Sequence, residues 1–274
     1  MRCFIAKSLL LASLTAFAGQ SLAAGKCERL VATGSPDAPP YLWRDPQHPT
    51  RLIGVSADLL TRVAAELGIQ VELLYGGKRS QALEEVNSGR MDLLIDAPLT
   101  VAGLDTLDYV HPALVQNDYL VWTRKGSSLN FRSLADLHGY PGAMSAKSRP
   151  THAFELLANE RLQLTRPDNL TQTLQQLLLG KVDYVIAGRY SAGVVARTLG
   201  MGNDLQASEQ PVDRPGLYVA LSHDSACNEP WLRGQLAKKM TELAASGLAQ
   251  EVLQRNLDRW QAEQVRPVGD IKKQ

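Results

Sequence analysis

Apolar residues recur at Leu59, Leu60, Val63, Ala64 and Leu67, the three-and-four spacing of one helical face, with Ser56 placed as its cap and Gly68 as its stop. Directly afterwards Ile69, Val71 and Leu73 alternate with Gln70 and Glu72, which predicts a half-buried strand. The alternation of element types continues in both directions. Arg29–Thr33 reads as a short strand that breaks at Gly34-Ser-Pro, and a proline-rich loop over 34–50 surrounds Tyr41 and Trp43. A helix over about 79–88 runs through Gly89 into a strand at Asp92–Ile95. Near the C-terminus Leu232, Leu236, Met240 and Leu243 share one helical stripe, Ser246-Gly247 stops it, and a second helix ends near Trp260. Helical and strand patterns in alternation predict an α/β chain with mostly parallel sheets flanked by helices.

One junction occurs twice. Residues 86–95 and 177–186 each carry a helix end, a glycine, one basic residue and an aspartate that opens an apolar strand: Gly89-Arg-Met-Asp92 and Gly180-Lys-Val-Asp183. The repetition predicts two similar α/β lobes. In open α/β sheets ligands gather beyond the carboxyl ends of the strands, so Asp96–Thr100 in one half and Ala187–Tyr190 in the other are expected to face a shared cleft. The extended stretches Asn117–Arg124 and Gly216–Leu221 read as the two strands of a hinge. The expected division is a leader over 1–24, a first lobe over 25–119, a second over 120–217, and a return to the first over 218–274.

Charge and cysteine usage narrow the setting. Arg2 and Lys7 precede an apolar run from Ser8 to Ala18 that is about half the length needed to span a bilayer, and Ser21–Ala24 supplies small residues. This predicts a cleaved leader and export to the periplasm. Removing 1–24 lowers Lys plus Arg from 29 to 27 against 28 Asp plus Glu, for a net charge of −1. Such a chain has no electrostatic footprint for nucleic acid. It also keeps two cysteines, Cys27 and Cys227, and an even count in an oxidising compartment suggests a disulfide.

Five stretches, in order, resemble the periplasmic solute-binding proteins of polar amino-acid uptake systems, the family 3 extracellular solute-binding proteins. They are Leu30-Val-Ala-Thr-Gly with Pro39-Pro-Tyr41, Leu52-Ile-Gly with Ser56-Ala-Asp-Leu-Leu, Gly89–Ile95, Leu107-Asp-Tyr109 with Pro112, and Ser133–Gly139. The resemblance implies a type II two-lobed periplasmic binding fold and a small polar, carboxylate-bearing ligand held by closure. It also implies delivery to an ABC permease by a monomer that needs no cofactor. Tyr41 matches an aromatic residue that packs on the ligand, with Trp43 a second of that kind; either also serves as core cover. Arg79, at a helix start, offers a guanidinium for two parallel hydrogen bonds to a carboxylate. Thr100 opens the family's Thr-x-x-Arg element, but Thr100-Val-Ala-Gly-Leu has no arginine. Where the family places an aspartate for an α-ammonium, this chain has Gly188-Arg189. That exchange favours an acid group, with Arg189 opposite Arg79 and Asp96 as a compensating carboxylate. Ser148 lies in the loop that binds ligand in the second lobe, where Ser148 and Thr151 also read as helix caps.

Catalysis draws little support. The histidines at 48, 111, 138, 152 and 223 lack metal-ligand spacing, Gly-x-Ser-x-Gly is absent, and Gly76-Gly-Lys-Arg-Ser80 lacks the upstream glycine of a phosphate loop. Two further readings of the same scaffold are an enzyme of the dehydratase type, with Asp96 as its acid, and a receptor for a membrane sensor.

Overall fold

The computed structural model describes residues 27–265. Ten strands form two five-stranded sheets of the same design. In the first, Gln70–Leu73, Arg29–Gly34 and Leu93–Ala97 run parallel, and Gly216–Ser222 then pairs antiparallel with both Leu93–Ala97 and Leu107–Gln116. In the second, Gln163–Thr165, Pro141–Ala143 and Tyr184–Gly188 run parallel, followed by antiparallel Tyr119–Arg124 and Leu205–Ala207. A small three-stranded sheet, Asp37–Ala38, Leu42–Arg44 and Leu52–Ile53, is built from the proline-rich loop.

The repeated junction is a structural repeat. Gly89 and Gly180 both take a left-handed φ of 69°, the conformation that stops a helix where only glycine avoids a Cβ clash. Each following aspartate enters the central parallel strand of its sheet. The Asp92 N–H donates to the Val31 carbonyl and the Asp183 N–H to the Pro141 carbonyl, both at 2.8 Å.

Helices Val55–Glu66, Arg79–Asn87, Pro230–Ser246 and Leu248–Val265 accompany the first sheet, and His152–Arg161, Leu170–Leu178 and Arg189–Thr198 the second. The C-terminal stripe Leu232, Leu236, Met240 and Leu243 is buried, as its period requires. The chain passes between the sheets twice, through Asn117–Asp118 and Asp213–Pro215, and these crossings pair with each other. The Asn117 N–H donates to the Pro215 carbonyl at 3.0 Å and the Tyr119 N–H to the Asp213 carbonyl at 2.9 Å. Cys27 is disulfide-bonded to Cys227, joining the lead-in of one strand of the first sheet to the exit of another. The leader lies outside the described residues.

The first long helix begins two residues earlier than its sequence signals. Gly54, not Ser56, is the N-cap, with φ 134°. A Cβ at Gly54 would stand 2.3 Å from the Tyr41 carbonyl oxygen. Gly54→Ala is therefore expected to lower stability by about 1–3 kcal/mol from backbone strain, read as a lower urea midpoint at unchanged slope. An unchanged midpoint would show that the turn relaxes freely.

Candidate functional site

Released from capping, the Ser56 hydroxyl is fully buried and donates to Asp96 Oδ1. Asp96 sits near the end of strand Leu93–Ala97, is 8% exposed, and is the described non-glycine residue with positive φ, 55°. Its Oδ2 is buried with no hydrogen-bond partner. Burial pushes the carboxyl up to about 7, against the lowering effect of Ser56. A folded chain thus keeps a proton on Asp96 that the unfolded chain releases near 3.8. Stability from this group is complete below about 4 and is lost as pH rises through about 7, a span worth at most on the order of 4 kcal/mol. Asp96→Asn, whose amide tolerates this φ, is expected to flatten the fall. Urea unfolding at pH 5 and pH 8 measures it, and parallel losses in both proteins would refute it.

Tyr41 follows the two prolines and lies beside Asp96, but its ring is 1% exposed. Its hydroxyl donates to the Gln116 carbonyl at 3.2 Å, and its edge meets Tyr190 at 6.4 Å between centroids. The Ser191 hydroxyl donates to the Pro39 carbonyl at 3.2 Å, so helix Arg189–Thr198 leans on the loop that carries Tyr41. Burial raises the Tyr41 phenol well above its ordinary value. Trp43 points elsewhere: it is 6% exposed, Nε1 donates to Glu263 Oε2 at 2.8 Å, and the Arg259 guanidinium lies 5.8 Å from its ring. It fastens the last helix.

Arg79 is the first residue of its helix, delivered by the turn Gly76-Gly77 after the edge strand. No acidic residue occupies that first turn, and among the described residues the Arg79 side chain has no hydrogen bond or ion pair. Partial burial lowers its basicity, and the Arg149 guanidinium nearby lowers it further, while Tyr109 and Tyr119 act in the opposite sense. Arg149 comes from the other sheet, on the loop 145–151, where its N–H donates to the Tyr119 hydroxyl at 2.9 Å. Nothing in the sequence marks Arg149 beyond its position next to Ser148.

The other candidates are placed as follows. Ser148 flanks the Tyr119 hydroxyl and its carbonyl accepts from Arg149 Nη1 at 2.7 Å. Thr151, not Ser148, caps helix His152–Arg161, accepting from the Phe154 N–H at 3.1 Å and donating to Asp213 Oδ1 at 2.8 Å. Thr100 is exposed and accepts from the Gly103 N–H at 3.0 Å, closing a short turn. Beside it Val101 and Leu104 are 80% and 52% exposed, so this loop presents methyl groups where a carboxylate-binding arginine was sought. Arg189 is not brought to Arg79. Its Nη2 lies 3.6 Å from Asp118 Oδ2 at the first crossing, and Arg214 approaches the same carboxylate at 3.6 Å. A Cβ at Gly188 would sit 2.8 Å from Asn117 Oδ1, the end of a side chain that would have to shift.

Two hollows, of about 700 Å³ and 620 Å³, lie apart from Arg79 and Asp96. One borders Phe131 and Gln206–Gln210; the other, lined by Arg189, Trp122, Arg197 and Leu257, separates the second sheet from the last helix. Among the described residues no cluster of histidine, cysteine or acidic side chains has the arrangement of a metal site, and no helix is long and apolar enough to cross a membrane. The polar side chains to weigh are thus Arg79, which has no protein partner among the described residues, and the buried pair of Ser56 and Asp96 beside Tyr41.

Residues 30–259 match the family model described as bacterial extracellular solute-binding proteins, family 3. No curated protein matches the sequence. Among solved structures, the GluR0 ligand-binding core in complex with L-glutamate is 20% identical, with a TM-score of 0.65 over 85% of this chain and 100% of that one. An amino acid ABC transporter substrate-binding protein from Streptococcus pneumoniae bound to L-arginine is 20% identical, with a TM-score of 0.61 over 84% and 94%. A histidine kinase sensor domain with similarity to periplasmic binding proteins is 20% identical, with a TM-score of 0.61 over 84% and 96%. At these identities the likeness is one of fold.

Proposed function

Because the chain belongs to the bacterial extracellular solute-binding proteins of family 3 and carries their type II periplasmic binding fold, we propose that it captures a small carboxylate-bearing solute between two lobes. The lobes are the halves built on the two sheets, divided as 25–119 with 218–274 and 120–217, and they close about the paired crossings. The protein works as a monomer in the periplasm after loss of its leader and passes its solute to an ABC permease.

The observation that carries this reading is the unpartnered guanidinium of Arg79. A half-buried cation without an acid is costly, and a ligand carboxylate removes that cost with two charge-assisted hydrogen bonds. Tyr41 supports the site from behind, its ring held by Tyr190. An ordinary α-amino acid suits the site poorly, since the loop after Thr100 lacks a basic group and Gly188 stands where an ammonium would need an acid. Asp96 is the group that favours an enzyme, but Oδ1 is taken by Ser56 and Oδ2 is sealed from solvent, which leaves no proton acceptor for a substrate.

A thermal-shift screen of carboxylates, amino acids, polyamines and opines tests the proposal, because a ligand selective for the folded state raises the melting temperature. A carboxylate-bearing solute is expected to stabilise the protein. Stabilisation by cationic ligands alone would overturn the reading.

A further inference from the structure

Away from the crossings, the second half meets the first through helix Arg189–Thr198, whose side chains fall into stripes of helical period. Ala192 and Ala196 are buried in the core of the second half. Val194, 1% exposed, belongs instead to the core of the first half, and Tyr190 packs against that same core. Tyr190 also meets the ring of Tyr41, and the Ser191 hydroxyl donates to the Pro39 carbonyl at 3.2 Å. A further stripe, Arg189, Gly193 and Arg197, lines the hollow of about 620 Å³ whose opposite wall is Leu257, Asp258 and Gln261 of the last helix. One helix is therefore seated in the first half along one stripe and stands clear of it along the next.

We propose that Tyr190, Ser191 and Val194 form a pivot on which the two halves rock, and that the hollow kept open by Gly193 is the clearance for that motion. This rests on the two-lobe reading above and adds a third connection to the two crossings. Glycine inside a helix costs stability relative to alanine, and crowding does not require it at 193. A Cβ there would meet Trp122 Cη2 at 3.7 Å and Arg197 Nη1 at 3.8 Å, ordinary contact distances. What the missing side chain preserves is space between the helix and Leu257. The helix also starts at a crossing: Gly188 pairs with Tyr119, and the Arg189 N–H donates to the Asp118 carbonyl at 2.8 Å. A contact so near the axis moves little as the halves rotate, so the burial of Val194 and Tyr190 survives while the hollow beside them changes width. Filling the hollow would then act as a wedge against the pivot.

Electron–electron dipolar spectroscopy of the disulfide-intact, unliganded protein tests this, with spin labels at Glu84→Cys and Glu160→Cys, exposed positions on helices of the first and second halves. Gly193→Phe, which fills the hollow, is expected to displace the mean separation of the labels. Gly193→Ala, which adds one methyl group, is expected to leave the mean in place and to raise the melting temperature. Val194→Ala, which loosens the pivot, is expected to broaden the distribution of separations. Circular dichroism checks that each variant is folded, and Gly193→Leu carries the same test if Gly193→Phe is not. A mean unmoved in the folded wedge variant, or a distribution no broader in Val194→Ala, would overturn the pivot while leaving closure about the crossings standing. If the parent protein also holds one separation that succinate, L-glutamate and L-arginine all leave unaltered, the two-lobe closure falls with it.

Discussion

Arg79→Ala is expected to weaken binding of the carboxylate ligand by about 30- to 1000-fold, the equivalent of roughly 2–4 kcal/mol for a desolvated, charge-assisted contact. The size follows from the setting. Arg79 has no acid in its own helical turn and no ion pair among the described residues, so its hydrogen-bonding capacity is open to a partner outside the chain. Because Arg79 makes no protein contact and its unpaired burial is costly, the same substitution should leave the melting temperature of the free protein unchanged or slightly higher. Titration calorimetry beside a thermal melt separates the two effects. A variant that binds normally, or that loses affinity only because it no longer folds, would refute this role.

The second large effect concerns the Cys27–Cys227 bond, whose partners are 200 residues apart in sequence. Tying Cys27, ahead of strand Arg29–Gly34, to Cys227, beyond strand Gly216–Ser222, removes many conformations from the unfolded chain. Replacing both cysteines by serine is expected to cost about 2–5 kcal/mol, and in a chain of this size to lower the melting temperature by roughly 5–15 °C. Because both strands belong to the first sheet, Arg79 should keep its place, and ligand affinity at low temperature should hold. Calorimetry of oxidised and reduced protein checks this. Identical melts would mean that the bond contributes nothing to stability.

Much of the fold was readable because its signals are local. Gly89 and Gly180 stop helices, Asp92 and Asp183 open central strands, and Leu232, Leu236, Met240 and Leu243 keep the helical period that buries them. The site was less readable because its decisive contacts are not local. Ser56 has the residue type of a helix cap, yet the close approach of the Tyr41 carbonyl gives that position to Gly54 and turns Ser56 toward Asp96. Trp43 looks like a ligand aromatic, but its indole N–H meets Glu263, 220 residues away. Arg189 sits one residue beyond the strand end expected to face the ligand, and that single step aims it at Asp118. Arg149 has no periodicity or motif to mark it.

If the protein captures an acidic solute by closing two lobes, small-angle X-ray scattering during a ligand titration measures that closure directly. An anion bound to Arg79 is expected to draw the second lobe over it by hinge closure. The radius of gyration is predicted to contract, to saturate at one equivalent of the best carboxylate from the screen, and to stay constant in Arg79→Ala at the same concentration. Saturable one-to-one binding of that carboxylate with no contraction would contradict the account.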